Sequence, residues 1–302
     1  IAFFEPESKA APMQRYVFMT MAVGDGYGGL EHRASTALIC NRNDLPLKHQ
    51  SEMSEGYLKF LGLCSHEYFH TWNIKRIKPA AFTTYDFQQE NYTSLLWLFE
   101  GFTSYYDDLM LLRAGIIDEA KYLKLVAATL NTVTRGSGRH SQSVADSSFD
   151  AWTKFYRQDE NAPNAIVSYY TKGSLIALAL DLTLRSKSKF SLDDIMRALW
   201  EGYGRDFYQR VQDGTQEGLD EEEIVELIQV VTGLKLKPFF SRYVQGTEEL
   251  PLAKLYAPFG VQVQDQRDSK KAGMGVKLVK SGADCKLAHV HQGLAAHKAG
   301  LS

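Results

Sequence analysis

The run His66-Glu67-Tyr68-Phe69-His70 is the densest piece of chemistry in this sequence. On a helix, residues four apart lie one turn apart on one face, so both imidazoles can reach a single metal ion. Glu67 stands beside them, where a carboxylate takes a proton from a water that the metal acidifies. A catalytic zinc needs a third protein ligand and an open fourth position. Glu100 is the candidate, a charged residue inside the apolar run Leu96-Trp97-Leu98-Phe99-Glu100-Gly101-Phe102, where an unpaired carboxylate would be costly. An ion pair with Arg113 or Lys75 is the alternative for it. Asp107 follows seven residues later, two turns along the same face. It is placed to accept the outer N–H of a metal-binding histidine, and it reads equally well as an ordinary surface acid.

These side chains need two helices. Apolar residues at three- and four-residue steps predict a helix from Glu52 to Asn73, which Pro79 prevents from continuing. A second helix is predicted from about Ser94 to Ala114, with Thr93 as N-cap and Gly115 just past its end. Before them, Arg15 to Asn41 reads as strands around a glycine-rich turn, Gly24 to Gly29. After them come helices at Asp118–Thr134, Tyr169–Ser186, Leu192–Gly202, Asp220–Thr232 and Pro238–Val244, with a polar, irregular stretch from Gly136 to Asn164. The Ser191-to-Asp194 start resembles a capping box. Beyond Pro251, Val261, Val263, Val276, Leu278, Val279 and Val290 alternate with polar residues and glycines, which reads as short strands of a separate module.

Composition sets the outer limits. At 302 residues, 44% hydrophobic and 23% charged, the chain is an ordinary globular sequence with room for about two domains. Thirty-four basic residues against 36 acidic ones give a net charge of −2, so there is no global electrostatic case for nucleic acid. No apolar run approaches the ~18 residues of a membrane span. Cys40, Cys64 and Cys285 are scattered and odd in number, which points to reduced thiols rather than a disulfide framework. Ile1 in place of Met suggests a fragment or processed form, and the compartment, cytoplasmic or periplasmic, stays open.

A family resemblance rests on several motifs together. His66 to Pro79 resembles the zinc helix of the glycyl aminopeptidases, metallopeptidase family 61, relatives of aminopeptidase N. So do Glu100-Gly101-Phe102-Thr103-Ser104-Tyr105-Tyr106, Gly28-Gly29-Leu30-Glu31-His32-Arg33-Ala34-Ser35 and Tyr169-Tyr170-Thr171-Lys172-Gly173. These fall in the family's order and span roughly residues 15 to 250. The resemblance implies an α+β architecture: a thermolysin-like zinc peptidase domain, mainly helical with an N-terminal β-sheet part. It implies one zinc per chain on His66, His70 and Glu100, with Glu67 and Tyr170 as catalytic residues. Gly29, Leu30 and Glu31 would bind substrate, Glu31 taking its free α-ammonium group as in the Gly-x-Met-Glu-Asn strand of aminopeptidase N. Tyr170 rather than Tyr169 is expected to meet the oxyanion, because its spacing to Lys172-Gly173 matches. The tail from about Tyr256 resembles part of a PDZ domain, chiefly in Val290 to Leu301.

The expected organisation is residues 1–120 for the sheet and zinc helices, 121–250 for the helical remainder, and 256–302 for the partial PDZ-like module. The expected activity is zinc-dependent removal of small first residues, glycine or alanine, from peptides with a free N-terminus. An intact PDZ module would add peptide C-termini as partners. Two rivals share the motifs: a thermolysin-like endopeptidase, and a PDZ-bearing interaction protein without activity.

Overall fold

The computed structural model describes residues 1–49, 52–264 and 272–301. The tail residues 265–271 and residue 302 of the expected C-terminal module therefore lie outside the described residues. The chain opens with three strands, β1 (Val17–Val23), β2 (Gly28–Glu31) and β3 (Ser35–Asn41). They form one sheet in the order β1-β3-β2, with β1 parallel and β2 antiparallel to the central β3. Along β3, Thr36, Leu38 and Cys40 are buried on one face, the period-two signature of a strand with one covered side. The glycine-rich segment is thus partly strand: Gly28 and Gly29 begin β2, and the turn proper is shorter than the sequence suggests.

The metal-motif helix α1 (Glu55–Phe69) starts at Ser54, whose hydroxyl accepts from the Tyr57 amide, a standard N-cap. It ends at His70, earlier than its apolar pattern implies. Helix α2 (Leu96–Arg113) is capped by Leu95, while Thr93 accepts from the Leu95 amide just outside. Gly115 has φ +70°, the left-handed conformation in which a helix commonly stops. Helix α3 (Glu119–Arg135) is capped by the Asp118 side chain.

Between Gly136 and Asn164 the chain is more regular than its polarity suggests. It carries α4 (Val144–Phe149), a wide π-type turn at Ala151–Phe155, and α5 (Ala162–Ala165). Ser143 caps α4 by accepting from the Asp146 amide, and Pro163 opens α5, a position where its missing N–H costs nothing.

Helix α6 (Thr171–Lys187) is the buried centre of the molecule, with an unbroken buried run from Lys172 to Leu184. Helices α7 (Leu192–Leu199) and α11 (Leu252–Tyr256) pack against it, α9 (Glu221–Thr232) packs on α7, and α8 (Phe207–Asp213) and α10 (Lys237–Tyr243) complete the helical part. The capping boxes at Ser191/Asp194 and Asp220/Glu223 are both formed.

Tyr256, where the tail module was expected to begin, is buried in this helical core, and Val261 packs against it. No strand forms at 261–264. The tail's strands are β4 (Val276–Ser281) and β5 (Asp284–Val290), an antiparallel pair followed by α12 (Ala295–Lys298). The pair meets the helical part through the Asn164 amide, which donates to the Val290 carbonyl at 2.8 Å.

The α2–α6 crossing is where fold becomes site. A Cβ on Gly101 would stand 2.6 Å from the Gly173 Cα, and one on Gly173 would stand 2.7 Å from the Trp97 carbonyl. The two backbones touch, which only glycine permits. Glu100 precedes one of these glycines and Tyr170 lies three residues before the other, so the contact brings both side chains to one end of the crossing.

Candidate metal centre and active site

His66 and His70 project from the last turn of α1 towards Glu100 on α2. Both Nε2 atoms are 3.2 Å from the Glu100 Oε2, and the three donor atoms lie within 4.8 Å of one another. Bonds of ~2.0–2.1 Å to a tetrahedral metal imply donor separations of roughly 3.3–3.4 Å, which the two histidine–Glu100 separations approach, so the three residues could hold one ion.

The outer nitrogens support the same arrangement. The Nδ1 of His70 donates to the Asn73 carbonyl at 2.9 Å. A carbonyl can only accept, so a proton sits on Nδ1, and Nε2 is the nitrogen left facing Glu100, where it would bind a metal once the ring is neutral. The Nδ1 of His66 lies 3.0 Å from the Asp107 Oδ2, the carboxylate contact that orients metal-binding imidazoles. Electrostatics agree. Burial disfavours charge on His66, but Asp107 and Glu100 outweigh it and carry its pKa up to about 10. Burial also works against an ionised Glu100, yet His70 and His66 hold its carboxyl well below the usual range. The cluster favours positive charge at its centre. Two nitrogens, one carboxylate oxygen and their outer hydrogen bonds fit a divalent metal.

The turn after α1 makes this geometry and carries a strain that the sequence does not announce. Ile74 has φ +111°, a conformation that β-branched residues avoid. Its amide donates to the Ile77 carbonyl at 2.9 Å, and the Asn73 amide group donates to the Phe99 carbonyl and to the Thr103 hydroxyl, each at 3.1 Å. The Asn73 side chain thereby fastens the turn to α2 one helical turn from Glu100, while its backbone carbonyl meets His70. On the other side, the Ser65 hydroxyl donates to the Asp107 carbonyl at 2.8 Å.

Glu67 is 4% exposed, and its Oε2 has no hydrogen-bond partner. Burial raises its pKa, with His70 and His66 pulling the other way. A buried carboxylate without a partner is expensive, and groups left in that state concentrate at reaction centres. Its other oxygen presses on Gly29 of β2, where a Cβ would overlap it. Gly29 thus leaves room for Glu67, and Leu30 and Glu31 follow on the same edge strand, which among the described residues pairs only with β3. Leu30 is exposed. Glu31 is not free: its Oε1 is 3.0 Å from the Lys75 ammonium, a partner the sequence reading assigned to Glu100 as an alternative. Arg113, the other alternative, pairs with Asp193 instead. His32 is exposed, its Nδ1 3.1 Å from the Leu30 carbonyl.

The adjacent tyrosines stay together, and the Tyr169 hydroxyl donates to that of Tyr156 at 3.4 Å. Tyr169 is 1% exposed and stacks on Tyr170 with ring centres 4.7 Å apart. Tyr170 is less buried, and its ring centre is 6.2 Å from that of His66. Its hydroxyl is 3.3 Å from that of Tyr156, a residue that sequence reasoning missed because the 136–164 stretch looked featureless. Burial and the Glu100 charge keep the Tyr170 hydroxyl protonated far above neutrality, so it remains a donor.

The ligand set leads to a direct expectation. Glu100→Ala should lower metal content from one equivalent per chain towards zero, because only two donors remain. Elemental analysis of wild type and variant, purified side by side, checks it; equal content would remove Glu100 from the set.

Comparison with known proteins agrees with this geometry. Residues 59–176 match the model of the M61 glycyl aminopeptidase family. No curated protein matches the chain. The fold is similar to the crystal structure of an aminopeptidase N family protein from Idiomarina loihiensis, with a TM-score of 0.89 and 45% sequence identity. That match covers 100% of this chain and 52% of the other, so the chain spans about half the length of that relative. The stretch that matches the M61 glycyl aminopeptidase family, 59–176, holds both histidines, Glu67, Glu100, Asp107 and Tyr170.

Proposed function

We propose that the chain is a zinc-dependent aminopeptidase that releases small first residues, glycine or alanine, from peptides. The observation that carries this reading is the convergence of three possible ligand atoms beside the buried Glu67, whose Oε2 has no partner. His66, His70 and Glu100 would hold the zinc, and Asp107 and the Asn73 carbonyl would orient the two imidazoles. When bound there, zinc supplies a Lewis acid for the scissile carbonyl and lowers the pKa of water.

The protein's own groups do the rest. Glu67 takes the proton of the attacking water and returns it to the leaving amine. The Tyr170 hydroxyl donates to the oxygen that becomes negative in the tetrahedral state. The open edge of β2 offers backbone groups to an extended peptide, and Glu31 takes the substrate's ammonium group. Glu31 Oε1 is engaged with Lys75, so the substrate amine would use the remaining oxygen or displace the lysine. The surrounding domain is read as thermolysin-like, and β4, β5 and α12 as part of a PDZ-like module.

The Glu31–Lys75 pair is also the one observation that favours a thermolysin-like endopeptidase, because a neutralised carboxylate attracts an amine less. Hydrolysis of an alanyl anilide and of its N-acetyl form separates the two readings.

The oxyanion role gives a kinetic expectation. Tyr170→Phe should lower kcat by about 10²–10³-fold with a much smaller change in KM, since the hydroxyl is needed when charge develops and not when substrate docks. Steady-state kinetics on the alanyl anilide, with Tyr169→Phe as the comparison, is the check. The same pattern in Tyr169→Phe alone would move the role to that residue.

A further inference from the structure

A second feature shares a wall with the metal cluster. Glu100 also borders an apolar pocket walled by Phe82, Tyr92, Leu96, Phe149 and Trp152, with Tyr156 at its edge. Tyr156 is the residue whose hydroxyl lies 3.3 Å from that of Tyr170, so pocket and reaction centre are continuous. Tyr92 and Phe149 stack at 5.0 Å, and the Trp152 indole N–H donates to the Asn91 carbonyl at 3.1 Å. The walls are therefore held in place by contacts between the segment preceding α2 and the turn following α4.

Glu100, Tyr156 and Tyr169 line the pocket on the side of the metal cluster, and its other polar side chains are already spent. The Asn91 Oδ1 accepts from the Asp86 amide at 3.1 Å, the Thr93 hydroxyl from the Leu95 amide at 3.2 Å, and the Ser148 hydroxyl from the Trp97 amide at 2.9 Å. Trp152, Phe149 and Tyr156 nevertheless stand half-exposed or more. Three large aromatic side chains left open beside a reaction centre, with no free polar group among them, suit an apolar occupant.

This step rests on the aminopeptidase reading. If the first residue is glycine or alanine and its amine is at Glu31, that residue has no side chain large enough to fill the pocket. We infer that the pocket takes the side chain of the substrate's second residue, and that the preferred substrates carry a small first residue followed by a bulky apolar or aromatic one. Neither the balanced net charge nor the metal motif contains this selectivity; it comes from the aromatic walls.

The test is a dipeptide-amide series assayed with the metal-loaded full chain: alanyl-phenylalaninamide, alanyl-glycinamide and phenylalanyl-alaninamide. Wild type should favour the first over the second by ~10–100-fold in kcat/KM, the range that burying a side chain of this size supplies. Trp152→Ala and, separately, Phe149→Ala should narrow that ratio chiefly by raising KM for alanyl-phenylalaninamide. Both residues are half-exposed, and thermal melts verify that each variant is folded. Equal rates on the two alanyl substrates, or an unchanged ratio in both folded variants, would overturn the assignment while leaving the aminopeptidase reading intact. Preference for phenylalanyl-alaninamide, lost in the variants, would overturn it by assigning the pocket to the first residue. No hydrolysis of any member by wild type would overturn the aminopeptidase reading and this inference with it.

Discussion

Glu67→Gln is expected to retain its metal and lose ~10²–10⁴-fold or more in kcat. The amide has nearly the shape of the carboxyl it replaces, so the fit against Gly29 survives. What it lacks is basicity. In the folded protein one oxygen of Glu67 has no partner, although burial penalises that state. Such a group is a stability liability unless something arrives to use it, and the water attacking the substrate is the candidate. Elemental analysis paired with turnover of an alanyl anilide checks both halves of the expectation. Metal retained with wild-type turnover would mean that another residue is the base.

The second large effect concerns the substrate's amine. Acetylating it removes a charge and the partner of a carboxylate at the same time. Lys75 keeps one oxygen of Glu31 paired, so the loss is one hydrogen bond to a charged group, about 1.5–3 kcal/mol, and kcat/KM for the free amine should exceed that for the acetylated form by ~10–10²-fold. Glu31→Gln should shrink this ratio while leaving metal content unchanged. Lys75 complicates the comparison in a useful way. It sits 3.0 Å from Glu31, so Lys75→Ala frees the carboxylate, and KM for free-amine substrates should fall or hold. A rise in KM in Lys75→Ala would assign Lys75 to substrate binding instead.

The sequence shows the site more readily than the sheet that borders it. His66, Glu67 and His70 are legible because metal-ligand spacing coincides with the helical repeat. Glu100 is legible because a charge inside an apolar helix demands a partner, and Asp107 because two turns return it to the same face. Glycine hides the rest. Gly28 and Gly29 read as a turn because glycine has no strand preference, whereas β2 needs Gly29 to be small so that Glu67 fits. Gly101 and Gly173 show their purpose only when α2 and α6 are seen to touch. The positive φ of Ile74 runs against its residue type and follows from tertiary hydrogen bonds at Asn73. Tyr156, Trp152 and Phe149 lie in a stretch whose helices are too short for a periodic pattern, so the aromatic wall beside Glu100 is visible only in three dimensions.

The most direct test of the account is product mapping. The metal-loaded protein is incubated with matched peptides whose amino termini are free or acetylated, and every new terminus is identified by mass spectrometry. The account predicts loss of single first residues, glycine or alanine foremost, from the free peptides, and no cleavage of the acetylated ones. Cuts within the acetylated peptides would contradict it and establish an endopeptidase.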